Sequence, residues 1–229
     1  GGINFFGQTY TSLFINNNGN ITFGQSLSSY TPNQIGSGFN VPIIAAFWAD
    51  VDTGGGDTGA TPGGNSTGTN NVYYDLDVPN GVLTITWDDV GYYSSNTDLA
   101  NAFQLQLVDR GNGDFDIVFR YESINWTTGD ASGGDGGLGG TPARAGYTAG
   151  NGQDYYELPG SGNQGSVLNF DQATGNGGEV GVFVFQVRSG QVVGGSGSVQ
   201  LESEFGILTM NADGSYTYAL KNDSAAVQK

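Results

Sequence analysis

No stretch of this chain sustains an apolar period of 3.6 residues, and that constrains its fold more than any other feature. Its apolar residues alternate over short runs, broken repeatedly by glycine and asparagine. Runs 9–15 and 21–24 flank Asn16, Asn17, Asn18, Gly19 and Asn20, residues that tolerate the positive φ of a tight turn. Residues 42–48 form a continuous apolar run, as a buried sandwich strand would. Runs 71–76 and 82–88 surround Pro79, Asn80 and Gly81, a second hairpin signal. Runs 103–108 and 114–121 alternate around a turn at 109–113, and 180–187 closes the series. The one segment expected to hold a helical turn is 94–102. The pattern predicts an all-β fold, an antiparallel β-sandwich with long Gly-rich loops.

Reading the alternation as written, Phe47, Trp48, Leu83, Ile85, Trp87, Phe103, Leu105, Leu107, Ile117, Phe119, Val182 and Val184 should line one interior. Phe47 and Trp48 are adjacent, so one of them should cover the opposite face of its strand. Two loops are long for a compact domain. Residues 53–69 read as flexible or ordered by an ion, and 127–165 as partly packed through its tyrosines and leucines. The 41 glycines show no collagen-like period and therefore mean turns. Segment 189–198 has linker composition, so the chain divides into a sandwich at 1–190 and a linker with a partial β module at 191–229. No run approaches the ~18 apolar residues of a membrane span. The start at Gly1, Gly2 and Ile3 reads as a mature product or an internal piece, which would be secreted or displayed at a cell surface.

Composition excludes whole classes of chemistry. The chain has no cysteine and no histidine, which removes thiol nucleophiles, zinc–thiolate sites, imidazole ligands and the Ser-His-Asp triad. Its net charge of −16, from 6 basic and 22 acidic residues, makes nucleic acid and anionic membranes poor partners. A carboxylate-pair glycosidase would need two carboxyls ~5 Å or ~6.5–9.5 Å apart across a cleft, and no pattern nominates such a pair. The expectation is a protein that is not an enzyme.

Oxygen ligands for Ca2+ are the remaining option. Asp50, Asp52 and Asp57 leave an apolar run and enter a glycine turn, a spacing able to wrap a hard cation. The bland alternative is that they cap turns and strand ends. Asp109, Asp114 and Asp116 form a second acidic group, which a plain hairpin explains as well. Arg144, isolated in a glycine-rich stretch, should pair with a carboxylate or contact a ligand. Trp48 and Trp87 lie in apolar runs and read as core. Trp126, followed by Thr127, Thr128 and Gly129, reads as the tryptophan able to reach a surface and stack on a ligand such as a sugar.

Several blocks taken together resemble a known family. They are Asn16 to Gly24, Ile43 to Thr53, Phe103 to Leu105, Asp114 to Tyr121, Ile124 to Gly129, Ala143 to Tyr147 with Gly150, and Leu158 to Gly162. In this order, and over roughly 1–188, they resemble the nidogen-like (NIDO) extracellular domain. The resemblance implies a non-catalytic extracellular module and carries over no catalytic residue. Residues 206–228 are similar to the latter part of a VCBS repeat, a cadherin- or immunoglobulin-like module of bacterial adhesins. Such a fragment, with Phe205, Ile207, Leu208, Tyr216 and Tyr218, would leave an unpaired strand edge able to dock on another copy of the chain and build a filament. The partners implied are proteins, other copies or matrix and surface proteins, with a calcium-dependent glycan-binding module as the alternative.

Overall fold

The computed structural model describes residues 1–36, 39–193, 199–202, 206–210 and 216–220. It is almost entirely antiparallel β. The strands in chain order are β1 (Ile3–Phe5), β2 (Gln8–Tyr10), β3 (Phe14–Asn16), β4 (Asn20–Thr22), β5 (Ile43–Trp48) and β6 (Val51–Asp52). Then come β7 (Asn71–Asp77), β8 (Val82–Tyr92), β9 (Asn96–Gly111), β10 (Asp114–Ser123), β11 (Gly134–Asp135) and β12 (Leu138–Gly139). A 3-10 turn at Asp130–Ser132 precedes β11, and β13 (Arg144–Thr148) and β14 (Tyr155–Glu157) precede one short α-helical turn, α1 (Gln164–Val167). The chain continues through β15 (Val182–Arg188), β16 (Gln191–Val193), β17 (Val199–Glu202), β18 (Gly206–Met210) and β19 (Tyr216–Leu220).

Two sheets share one interior. The larger has seven strands ordered β16-β15-β10-β9-β8, with β6 and β7 pairing successive parts of the far side of β8. The smaller has five strands ordered β14-β13-β5-β4-β3. Side chains from both make the core, among them Ile21, Ile44 and Phe47 from the small sheet and Ile85, Trp87, Phe103, Leu105, Ile117 and Phe119 from the large one. Trp87 stacks on Phe103 with ring centroids 4.9 Å apart, and Phe47 meets Phe103 at 5.2 Å. The Tyr121 hydroxyl donates to Ala46 O at 2.6 Å, a polar pin from the large sheet to the small one.

β5 is buried on both faces, which explains its unbroken apolar sequence. Ile43, Ala45 and, past an irregularity in the pairing with β13, Trp48 join Ile35 in a second cluster on the outer side, against which Leu27 and Phe39 pack. Trp48 is thus the residue that covers the opposite face. The Asn16–Asn20 turn closes one end of the core. The Trp87 Nε1 donates to Asn17 O, Phe47 N donates to Gly19 O, and Gly19 approaches so closely that an added Cβ would overlap Phe47 O.

Three expectations need correction. Segment 94–102 holds no helix, because from Asn96 it is the first half of the long strand β9, paired with β8. Leu83 is only partly buried, at the rim of the core. On β15 the faces are reversed: Phe185 and Val187 point inward, while Val182 and Val184 lie outside the main core. Register explains it. Ile117 and Phe119 are core residues of β10, and they pair with Phe185 and Phe183, so Val184 and Val182 fall on the other side.

The C-terminal strands form a separate three-stranded antiparallel sheet ordered β17-β18-β19. Ile207 and Leu208 lie on β18 and Tyr216 and Tyr218 on β19, with Leu208 opposite Tyr218 and the Tyr218 side chain half exposed. Phe205 lies outside the described residues.

Candidate functional site

Several acidic residues lie where β5, β6, β8 and β10 meet the long loops, among them Asp50, Asp52, Asp88, Asp89 and Glu122. β8 is interrupted by a bulge between Trp87 and Val90, and Asp89 in it has a φ of 48°. The bulge turns two successive aspartates toward loop 53–69. Asp88 accepts from Thr67 N at 2.8 Å and Thr67 Oγ1 at 2.6 Å, and from Thr69 N at 3.1 Å and Thr69 Oγ1 at 2.7 Å. Asp89, fully buried, accepts from Thr61 N, Thr61 Oγ1 and Gly68 N. Glu122 at the end of β10 takes Asn65 N and Ser66 N, both at 3.0 Å. Burial alone would raise the Asp88 and Glu122 carboxyls. The converging hydrogen bonds outweigh it and hold both below their ordinary values. Three of the protein's own carboxylates thus hold loop 53–69. A run of Thr, Ser and Gly offers the matching donors, but the partners lie 19 to 57 residues away.

Asp50 sits differently. It follows β5 with 5% of its surface exposed, and its Oδ2 has no hydrogen-bond partner. Gly129 covers it so tightly that a Cβ there would lie 2.8 Å from Oδ2. Burial first, then the neighbouring charge of Asp52, push its pKa up to about 6; the Ala131 N–H opposes them, and the charge of Asp130 adds a smaller push. Asp52 accepts from Gly54 N at 2.7 Å and Ser95 N at 2.9 Å, fastening the start of the loop to the β8–β9 turn. Asp57 is exposed on the loop. Among the described residues no group of three or more carboxylates is placed to share one metal ion.

On the β9–β10 hairpin, Asp109 accepts from Gly111 N at 2.8 Å and Asp114 from Ser189 N at 2.7 Å. Asp116 is buried between two arginines, Arg110 at 2.6 Å and Arg188 at 2.7 Å. Arg144 Nη1 meets Glu157 Oε1 at 2.7 Å, tying β13 to β14, so its charge is met within the chain.

Trp126 corrects the expectation of a surface tryptophan, because it is completely buried. Its Nε1 donates to Val90 O at 2.9 Å, and its ring meets Phe47 edge-on at 5.4 Å. Asn101 on β9 holds it there, accepting from Asn125 N and Trp126 N and donating to Trp126 O. No signal in the sequence singled out Asn101, Asp88, Asp89 or Glu122, since each is a single polar residue within or beside an alternating run.

Comparison with known proteins follows this architecture closely. The nidogen-like domain model matches residues 11–189, nearly the whole two-sheet unit. Mouse alpha-tectorin is 36% identical over 183 residues, covering 74% of this chain and 8% of the relative. Drosophila melanogaster nidogen is 30% identical over 202 residues, covering 81% of this chain and 14% of the relative. Caenorhabditis elegans dendrite extension defective protein 1 is 27% identical over 83% of the chain and 16% of its own length. The chain thus spans a small part of each relative. These are animal proteins, and they lend nothing to a bacterial source. The adhesin-repeat resemblance lies beyond residue 189, outside the matched region. No solved structure matches the chain. Its sandwich, with the turns and carboxylate-fastened loops that complete it, belongs to the nidogen-like domain family.

Proposed function

We propose that this chain is an extracellular, non-catalytic module that binds other proteins within a larger structural molecule. One observation carries this reading: essentially the whole sandwich corresponds to a minor portion of much longer proteins, two of them called alpha-tectorin and nidogen. The chemistry is consistent with it. Asp88, Asp89, Asp116 and Glu122, four of the carboxylates a catalyst or cation could use, are engaged in holding loops or arginines. Asp50, its pKa pushed up to about 6, is covered by Gly129. The test is binding of the purified domain to a panel of purified extracellular matrix proteins, with intracellular proteins as controls, alongside hydrolysis assays on polysaccharides. Saturable binding to at least one matrix protein without hydrolysis is expected. Hydrolysis, or no binding to any matrix protein, overturns the reading.

Self-assembly through the C-terminal strands is a finer form of the same proposal. A three-stranded sheet of four- and five-residue strands is too small to close a sandwich. Deleting 191–229 should leave a folded monomer, and light scattering of the full chain should show larger species that the deletion removes.

A further inference from the structure

The large sheet continues past the small sheet that covers it. β7 pairs with β8, from Asn71 opposite Asp88 to Asp77 opposite Val82, and no other strand among the described residues pairs its second edge. This register puts Val72, Tyr74 and Leu76 beside Trp87, Ile85 and Leu83, on the face that elsewhere forms the core. Yet Tyr74 is 71% exposed, Leu76 60% and the following Val78 71%, because the facing sheet ends at β3. A groove of about 890 Å³ results, with Tyr10, Leu13, Phe23, Tyr74, Leu76 and Leu83 among its walls. Phe14 and Ile15, on β3, an edge strand among the described residues, are exposed as well.

The opposite face of β7 carries Tyr73, Asp75 and Asp77, opposite Thr86, Thr84 and Val82. Sheet edges are ordinarily guarded by charges, most effectively by charges on the inward face. Here the charges are acidic and lie on the outward face, while the inward face is apolar. Such an edge repels a copy of itself, since β7 against β7 would bring Asp75 and Asp77 near their own equivalents on a chain of charge −16. It matches a cationic strand. No arginine of this chain meets that charge, because Arg110, Arg120, Arg144 and Arg188 all pair with other carboxylates, and Asp109 adds a further acid to the groove wall.

We infer that the free edge of β7 and the apolar groove beside it bind an extended, cationic segment of a partner protein as an added strand. Lysine or arginine side chains of that segment lie opposite Asp75 and Asp77, and apolar ones alternate with them beside Tyr74 and Leu76. The inference rests on the protein-binding reading and specifies its surface and the chemistry of the partner.

The test uses the full chain and three synthetic peptides. One alternates lysine and valine, one alternates glutamate and valine, and one has the lysine–valine composition with its valines clustered. Fluorescence anisotropy should show binding of the alternating lysine–valine peptide alone, weakened by ~0.5 M salt, with amide exchange slowed in 71–77. Leu76→Ser and the double change Asp75→Asn with Asp77→Asn should each weaken it about tenfold, at an unchanged melting temperature. Equal binding of the clustered peptide, or affinity untouched by both variants, overturns the inference. So does a wild-type dimer in light scattering that Leu76→Ser dissolves, which would make a second copy the occupant. If matrix proteins bind wild type and Leu76→Ser alike while the peptide does not bind, the edge falls and the module reading stands. If neither binds, both fall.

Discussion

Asp88 with Asp89, and Asp50 with Asp52, are two aspartate pairs from one acidic chain that reach opposite electrostatic ends. Both leave apolar strands and both contain a buried carboxyl. The first pair faces a loop of threonine, serine and glycine whose N–H and O–H groups converge on it, and Asp88 is held below its ordinary pKa. Asp50, buried under a glycine backbone, meets two further acids and only one opposing N–H, from Ala131, so its pKa climbs to about 6. Burial is common to both. The number of donors decides which buried carboxylate supports the fold and which opposes it.

The sharpest way to break this contrast is to remove the saturated member. Asp88→Ala strips four hydrogen bonds from loop 53–69, whose donors sit on the exposed Thr67 and the half-buried Thr69. A loss of ~2–4 kcal/mol in denaturant unfolding is expected. A cost below ~0.5 kcal/mol would mean that the loop is held by something other than its carboxylates.

Asp50→Asn should do the reverse and stabilise the domain by ~1–3 kcal/mol at neutral pH. Its carboxyl binds a proton more tightly when folded than when unfolded, so stability falls as pH rises from the ordinary value of ~4 to about 6 and stays reduced above. The advantage of the amide should therefore be full above pH ~6 and vanish below ~4. Paired melting curves across that range decide it, and an amide that destabilises at pH 7 would show that the charge has a partner.

Asp88 and Glu122 carry depressed values, so their support is complete above the ordinary carboxylate range and is lost as pH falls through their lower folded values. Amide protection at Thr67, Gly68 and Thr69 should accordingly drop by about tenfold in acid before the strands β8 and β9 lose theirs. Simultaneous loss in loop and strands would dissolve the distinction.

The smallest expected effect is that of calcium. With Asp52 engaged by Gly54 and Ser95, and Asp57 out on the loop, chelator should shift the melting temperature by no more than about 1 °C. A rise of several degrees on adding calcium would instead show that the orphan oxygen of Asp50 recruits Asp52 and Asp130 around an ion.

By itself the sequence determined the all-β class and most of the strands. Strict alternation in 103–108 and 114–121 reports a half-buried strand directly, because successive side chains point to opposite faces. The unbroken run 42–48 likewise reported a strand buried on both sides, and the blocks quoted above identified the family. Partnership across distance was decided by the tertiary structure alone. Val182 and Phe183 are indistinguishable in a local pattern, and only pairing with Ile117 and Phe119 assigns β15 its inward face. Trp126 looked like a surface residue beside Thr127 and Gly129 until Asn101, 25 residues earlier, drew it into the core. Acidic residues were legible as a composition, but their roles were not. A carboxylate's effect depends on how many donors the fold brings within ~3 Å of it, and those donors come from segments that no sequence window contains.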